Sequence, residues 1–118
     1  MPLSVLDIMD LHSGKDLKGL LGALEWESEV ASNRDPAVRG EAAGALGKMG
    51  DRRAVGPLAR ALDRDPDLMV RARVAWALGE LGDPRAREPL MEALEWAGIG
   101  PIFDEVIAAL GKLDSTER

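Results

Sequence analysis

The sequence has no cysteine and no tyrosine, and His12 is its single histidine. Without cysteine the chain has neither a disulfide nor a thiolate metal site, which fits a reducing compartment, and we expect a cytoplasmic protein. One histidine also excludes a histidine-rich metal site within one chain. Ser13 lies beside His12, but no nucleophile-elbow pattern surrounds it. We therefore predict no metal, no cofactor and no enzymatic activity.

The chain also lacks a basic surplus and a long apolar run. Its 21 acidic side chains outnumber the 15 basic ones, giving a net charge of -6, whereas proteins that follow a phosphate backbone usually carry a basic surplus. Asp7 and Asp10 interrupt the apolar residues near the N-terminus, so we expect neither a signal peptide nor a membrane span. No glycine-rich run has the spacing of a phosphate-binding loop. These absences disfavour nucleic acid and membranes as partners.

What the sequence does contain is an internal repeat. Residues 38–63 align without gaps with residues 70–95, which lie 32 positions further on. Matched pairs include Val38 and Val70, Arg39 and Arg71, Leu46 and Leu78, Gly50 and Gly82, Asp51 and Asp83, and Pro57 and Pro89. Residues 102–113 repeat the first half of the unit, and residues 20–26 resemble the end of its second half. Two full units with half a unit at each end indicate a repeat architecture.

The periodicity predicts a single all-α domain over residues 1–118. Its parts are an extension or cap at 1–15, a half repeat at 16–34, repeats at 35–64 and 65–98, a half repeat or cap at 99–114 and a tail at 115–118. Apolar residues recur at helical spacing, so each unit forms two helices. We predict about seven helices and no strand, near 4–11, 16–30, 36–49, 54–63, 67–81, 85–96 and 101–113.

Start and stop signals bound these helices. Asp35-Pro36 is predicted to start one first helix and Asp65-Pro66 the next, because Asp caps free N–H groups and Pro suits the first turn. Gly50 and Gly82 suit the left-handed residue that follows a helix. The predicted core comprises Val38, Leu46, Met49, Leu58, Leu62, Val74, Leu78, Leu81, Leu90, Leu94, Val106 and Leu110. Each hairpin buries its apolar face against the next one.

The unit resembles the HEAT-like repeats of the bilin-lyase type, which are common in prokaryotes. The resemblance rests on its D-P, V-R, A-L-G, G-D, R-A, P-L and A-L elements and covers about residues 20–113. It implies an α-α superhelix, a short solenoid of helical hairpins whose second helices line a concave face. It implies little about activity, since such repeats occur in bilin lyases, in hydroxylases and in adaptors. The His-Glu pairs with which the hydroxylases hold iron are missing from this sequence.

The arginines fall into two groups. Arg39 and Arg71 share one repeat position, and Arg53 and Arg85 share another. Recurrence with the fold favours structural ion pairs to neighbouring Asp residues over a ladder that binds anions. A second group does not fully repeat and either recognises an acidic partner or is ordinary solvated charge. It contains Arg52, Arg60, Arg64, Arg73 and Arg87.

Five residues are the candidate partner-binding positions. They are Gly56, Arg60, Glu88 and Glu92 of the second helices, together with Trp76. A face of mixed charge suits a protein or peptide better than DNA. Trp76 replaces Gly44 of the preceding unit. It either contacts a partner, including another copy of the chain, or packs on a neighbouring first helix or on the N-terminal extension.

These patterns predict a non-catalytic scaffold that binds a partner protein or peptide on its repeat surface. Two alternatives stay open. The resemblance allows a small subunit of a bilin lyase or a tetrapyrrole chaperone, and some HEAT-like modules bind nucleic acid. We expect a monomer or a weak homodimer.

Overall fold

The computed structural model describes residues 4, 5, 8, 16–25, 35–98 and 100–116. Within them the chain forms six α-helices and no strand. The helices are α1 (Leu17–Leu24), α2 (Pro36–Met49), α3 (Val55–Arg64), α4 (Leu68–Leu81), α5 (Arg87–Ala97) and α6 (Pro101–Thr116). Short 3-10 turns at Arg52–Ala54 and Pro84–Ala86 lead into α3 and α5. The all-helical prediction is confirmed.

The N-terminal helices differ in part from the prediction. The helix predicted at 16–30 ends at Leu24, because Glu25 has an extended backbone with φ -81° and ψ 107°. Of the helix predicted at 4–11, only positions 4, 5 and 8 lie among the described residues. There the Ile8 N–H donates to the Ser4 carbonyl over 3.1 Å, and Ile8 is buried in the core.

The first helices begin and end on the residues that the physics of helix termini favours. Asp35 accepts a hydrogen bond of 2.9 Å from the Ala37 N–H at the start of α2. Gly50 after α2 and Gly82 after α4 have φ of 75° and 64°, the left-handed conformation that glycine adopts without steric cost. Both stop signals are therefore confirmed.

The start signal predicted for α4 is wrong. Asp67, not Asp65, caps this helix by accepting a hydrogen bond of 3.0 Å from the Val70 N–H. Asp67 lies 32 positions after Asp35 and is its true repeat counterpart. Asp65 has a different task, which is described with the charged residues below.

The helices form two layers. The first helices α2, α4 and α6 pack side by side, and the second helices α1, α3 and α5 form the other layer. Each first helix also packs on a second helix, so the chain is a short stack of hairpins with extents of 42 × 28 × 18 Å. Such a stack shares one continuous core between successive hairpins. None of the described helices meets the length and apolarity needed to cross a bilayer.

Neighbouring first helices approach closely at two equivalent glycines. A Cβ added to Gly47 would lie 2.9 Å from Cα of Ala77, and one added to Gly79 would lie 2.8 Å from Cα of Ala109. Only glycine fits at such distances. The second helices stand further apart and leave an open groove of about 240 Å³ between α3 and α5.

The core is confirmed for nine of the twelve predicted residues, and the other three are half-buried. Met49, Leu94 and Leu110 pack against the core without being enclosed by it. Leu81, the repeat counterpart of Met49, is buried, as are Leu62 and Leu78, the counterparts of Leu94 and Leu110. Leu94 and Leu110 lie on α5 and α6, beyond which the described chain has no further hairpin to cover them.

Candidate functional site

A buried ion pair holds the arginine of the first repeat. Nε of Arg39 lies 2.7 Å from Oδ2 of Asp65, and its Nη2 lies 3.1 Å from Oδ1. Arg39 is 3% exposed and Asp65 is 0% exposed. Asp65 Oδ1 also accepts the Asp67 N–H over 2.9 Å. The pair therefore ties α2 to the start of α4, and the structural role predicted for Arg39 is confirmed.

Arg71, the repeat counterpart of Arg39, has different partners. Its Nε donates to the Asp65 carbonyl oxygen, and its guanidinium lies 4.8 Å from the centroid of the Trp96 ring. Position 97, which corresponds to Asp65, is an alanine, so no carboxylate meets Arg71 there. A cation–π contact takes the place of the second ion pair.

The second repeated pair of arginines confirms the structural reading at both positions. Asp51 and Asp83 cap the 3-10 turns through the N–H of Arg53 and Arg85, at 3.0 and 2.9 Å. Nη2 of each arginine lies 2.7 Å from the same carboxylate. These side-chain hydrogen bonds are the main reason why the pKa of Asp51 and of Asp83 falls from 3.8 to about 2.

On the first-helix side two pairs of charges that break the repeat are paired within the chain. Arg73 Nη2 lies 3.0 Å from Glu41 Oε1, and Lys112 pairs with Glu80. Both pairs join residues 32 positions apart, so each bridges adjacent first helices. These charges are already engaged in holding neighbouring repeats together.

Trp76 lies among these pairs and is half-buried. Its ring lies where a side chain on Gly47 would be, 2.8 Å from an added Cβ, and Lys112 Nζ is 5.7 Å from the ring centroid. The indole thus packs on a neighbouring first helix. Its remaining surface lines a groove of about 320 Å³ with Met69 and Arg73. Contact with a partner at Trp76 stays a prediction.

The four other candidate residues lie together on the opposite layer. Gly56 and Arg60 are exposed on α3, and Glu88 and Glu92 are exposed on α5. Arg60 and Glu92 line the groove between the two helices, and Glu88 and Glu92 line an open depression of about 510 Å³ along α5. We call the exposed side of α3 and α5 the second-helix face. Trp76 is not part of it.

Sequence reasoning missed two members of the second-helix face. Met91 is 55% exposed and Glu95 is exposed, and both line the depression along α5 with Glu88 and Glu92. The four residues are spaced i, i+3, i+4 and i+7, which is one side of a helix. The available signal was a break in the repeat, since Met91 replaces Ala59 of the preceding unit.

The charges on the second-helix face have no ion pair. Among the described residues none lies in salt-bridge contact with Arg60, Arg64, Glu88, Glu92 or Glu95. This separates them from Arg39, Arg53, Arg73 and Arg85, which are all paired. Other described side chains, such as Lys48 and Arg52, also form no ion pair, but on α3 and α5 five such charges lie together around one groove and one depression.

The described residues bring together no group of three or more His, Asp or Glu side chains that could hold a metal ion. His12 lies outside the described residues. What the described surface offers instead is a groove and a helix face of mixed charge around an exposed methionine.

Two layers of helical hairpins with a shared core and a charged outer face define a helical-repeat solenoid. Comparison of the sequence with family models gives the same class: the model of the family described as HEAT repeats matches residues 24–97. The chain belongs to the HEAT-repeat family. No curated protein matches it. HEAT repeats commonly mediate protein–protein interaction and are typically non-enzymatic scaffolds.

Proposed function

We propose that the chain is a non-catalytic scaffold that binds a protein or peptide on its second-helix face. The observation that carries this proposal is the set of unpaired charges on α3 and α5. Five other arginines of the repeats form ion pairs, whereas Arg60 and Arg64 are exposed beside Glu88 and Glu92 without an ion pair among the described residues. Charges that a fold leaves free are available to fix the orientation of a partner and to exclude wrong partners.

The composition of the face favours a protein over other ligands. Met91 provides exposed apolar area, and carboxylates of Glu88, Glu92 and Glu95 surround it. Methionine adapts its shape to a partner surface, and a surrounding rim of charge is typical of transient protein interfaces. The cytoplasmic location predicted from the absence of cysteine remains part of this proposal.

Nucleic acid is disfavoured at this face. Three glutamates on α5 lie beside the two arginines of α3, and the whole chain carries a net charge of -6. A phosphate backbone would be repelled by the α5 side of the groove. Retention of the chain on DNA at low salt would contradict this assignment. No feature of the described residues favours the lyase alternative.

Site-specific photo-crosslinking tests the proposal. A benzoylphenylalanine replaces Met91 on the second-helix face, and a comparison variant carries it at the exposed Lys48, which lines the groove beside Trp76, the other candidate contact. We expect protein adducts from position 91, whether to another protein or to the same chain, and few from position 48. The double change Arg60→Gln and Glu92→Gln, made in the position-91 variant, should suppress the adducts.

Equal labelling from positions 91 and 48, or labelling from 91 that survives the double change, would show that the second-helix face is not the binding surface. The absence of any protein adduct from position 91 would sink the proposal as a whole.

A further inference from the structure

We infer that the second-helix face is self-complementary and binds a second copy of this chain through a two-fold axis that runs parallel to α3 and α5. The inference rests on the proposed function, because it names the partner of the same surface. It follows from the repeat register of the two helices and from the side chains that occupy equivalent positions on them.

The register places equivalent residues at equal height. α3 begins at Val55 and α5 begins at Arg87, which are 32 positions apart, and each follows a 3-10 turn of three residues. Since the repeat offset is also 32, every residue of α3 lies level with its counterpart on α5. The two helices belong to the same layer and run side by side.

This arrangement fixes what a two-fold axis brings together. An axis parallel to the two helices, midway between them and in the plane of contact, places α3 of one copy against α5 of the other at the same height. Residues near the middle of the exposed side of α3 then face their own repeat counterparts in the second copy. The contact is isologous, so every pair of residues occurs twice.

The counterparts are complementary in charge at the centre of the face. Arg60 faces Glu92 of the second copy, and the same pair recurs by symmetry on the other side of the axis. Within one copy, Arg60 and Glu92 line the same groove without forming an ion pair. Opposite charges across an interface steer association and fix its register.

The counterparts are also complementary in size. The long side chain of Glu88 faces the short Gly56 of the second copy, and both are exposed. Long residues on one helix opposite short residues on the other allow the two helices to approach.

One row opposes like charges, and its neighbours offset it. Asp63 faces Glu95 of the second copy, but Arg64 adjoins Asp63 along α3.

The size of the face sets the strength of the dimer. Helices of 10 and 11 residues at 1.5 Å per residue and about 10 Å across offer a face of roughly 15 × 20 Å. This is smaller than the faces of stable complexes, which bury about 1,200–2,000 Å² in total. We therefore expect a weak dimer that forms at micromolar and higher concentrations.

A charge exchange between two variants tests the inference by sedimentation velocity, from about 5 to about 500 μM, a range chosen for weak interfaces. Arg60→Glu creates two carboxylate–carboxylate contacts in its own dimer, and Glu92→Arg creates two guanidinium–guanidinium contacts. We expect each variant alone to lose association at least about tenfold. An equimolar mixture should regain it, because each carboxylate then meets a guanidinium. Lys48→Glu, on the first-helix side, is the control and should associate like the unchanged chain.

Three results would overturn the inference: an unchanged chain that stays monomeric up to the highest concentration, single variants that still dimerise, or a mixture that does not recover association. An adduct from position 91 to a different protein, in a chain that does not self-associate, would overturn the dimer and keep the proposed scaffold function. Folding of both variants is checked by their helical circular dichroism.

Discussion

At the scale of single residues, some charges stabilise the fold and others face the solvent. Asp65 is an example of the first kind and Glu92 of the second. Asp65 is fully buried and accepts from both Arg39 and the Asp67 backbone. Glu92 is exposed and unpaired among the described residues. A buried charge needs its partner, because an unpaired charge in a low-dielectric interior is costly. Removing an exposed charge changes the free energy of unfolding only slightly.

The buried Arg39–Asp65 pair predicts that a substitution at Asp65 strongly lowers the free energy of unfolding. Asp65→Asn keeps an oxygen that accepts the Asp67 N–H but removes the charge that balances Arg39. We expect the free energy of unfolding to fall by about 3–5 kcal/mol, measured by urea titration. Arg53→Gln, which breaks the exposed pair with Asp51, is the control and should cost far less. Equal losses from the two changes would show that the Arg39–Asp65 pair is not buried in solution.

The two capping aspartates predict an acid sensitivity. The pKa of Asp51 and of Asp83 is about 2 in the folded chain, against 3.8 ordinarily. The unfolded chain thus binds more protons at low pH, so the stabilisation is complete above about pH 4 and is lost as the pH falls towards about 2. Asn at both positions keeps the caps without the charge. We expect the melting temperature of this double variant to fall less steeply with pH over that interval. The same fall as in the unchanged chain would show that Asp51 and Asp83 do not cause the acid sensitivity.

At the scale of the helices, the first helices pack through glycines that recur in the repeat. Gly47, Gly79 and Gly111 are 32 positions apart, but only the first two have a neighbouring first helix within reach of an added Cβ. Gly111 has no atom within 4 Å of that position. The same residue type at the same repeat position thus has two environments, and the difference comes from the stack alone.

This difference predicts opposite outcomes for one substitution. Gly47→Ala and Gly79→Ala place a methyl group 2.8 Å from atoms of the next helix, and overpacking of this kind costs about 1–3 kcal/mol. Gly111→Ala meets open space and should stabilise the chain by up to about 1 kcal/mol through helix propensity. Thermal unfolding of the three variants decides the matter; a similar shift in all three would mean that the helices do not approach as described.

The shared core predicts a further contrast within α4. Leu78 is 0% exposed and Leu68 is 63% exposed. Leu78→Ala leaves a cavity between hairpins and should cost about 2–5 kcal/mol. Leu68→Ala removes surface that is already in water and should change stability by no more than about 0.5 kcal/mol. Similar melting temperatures for the two variants would place Leu78 outside the core.

At the scale of the whole molecule, the repeat made most of the fold predictable. Two copies in register fix where helices start and stop, so Gly50, Gly82 and the buried Leu46 and Leu78 follow from the alignment. The cap of α4 was predicted wrongly because Asp65-Pro66 looks like a start signal in isolation. The repeat register identifies Asp67 as the cap instead. Asp65 forms an ion pair with Arg39, which lies on another helix.

The binding face was less predictable, because burial and pairing depend on neighbours that are distant in sequence. Gly56, Arg60, Glu88 and Glu92 were identified from the helix on which they lie, and all four are exposed. The pairing of Arg73 with Glu41 could not be read from α4 alone. Exposure of Met91 likewise depends on the absence of a further helix against that side of α5 within the described chain.

In the proposed function, the charges on the second-helix face serve binding and not the fold. The most direct test is urea unfolding of the Arg60→Gln and Glu92→Gln double variant, at a concentration too low for association. The predicted free energy of unfolding lies within about 0.5 kcal/mol of that of the unchanged chain, although the variant no longer binds through this face. A loss as large as that of Asp65→Asn would contradict the account, because it would show that these side chains stabilise the repeat itself.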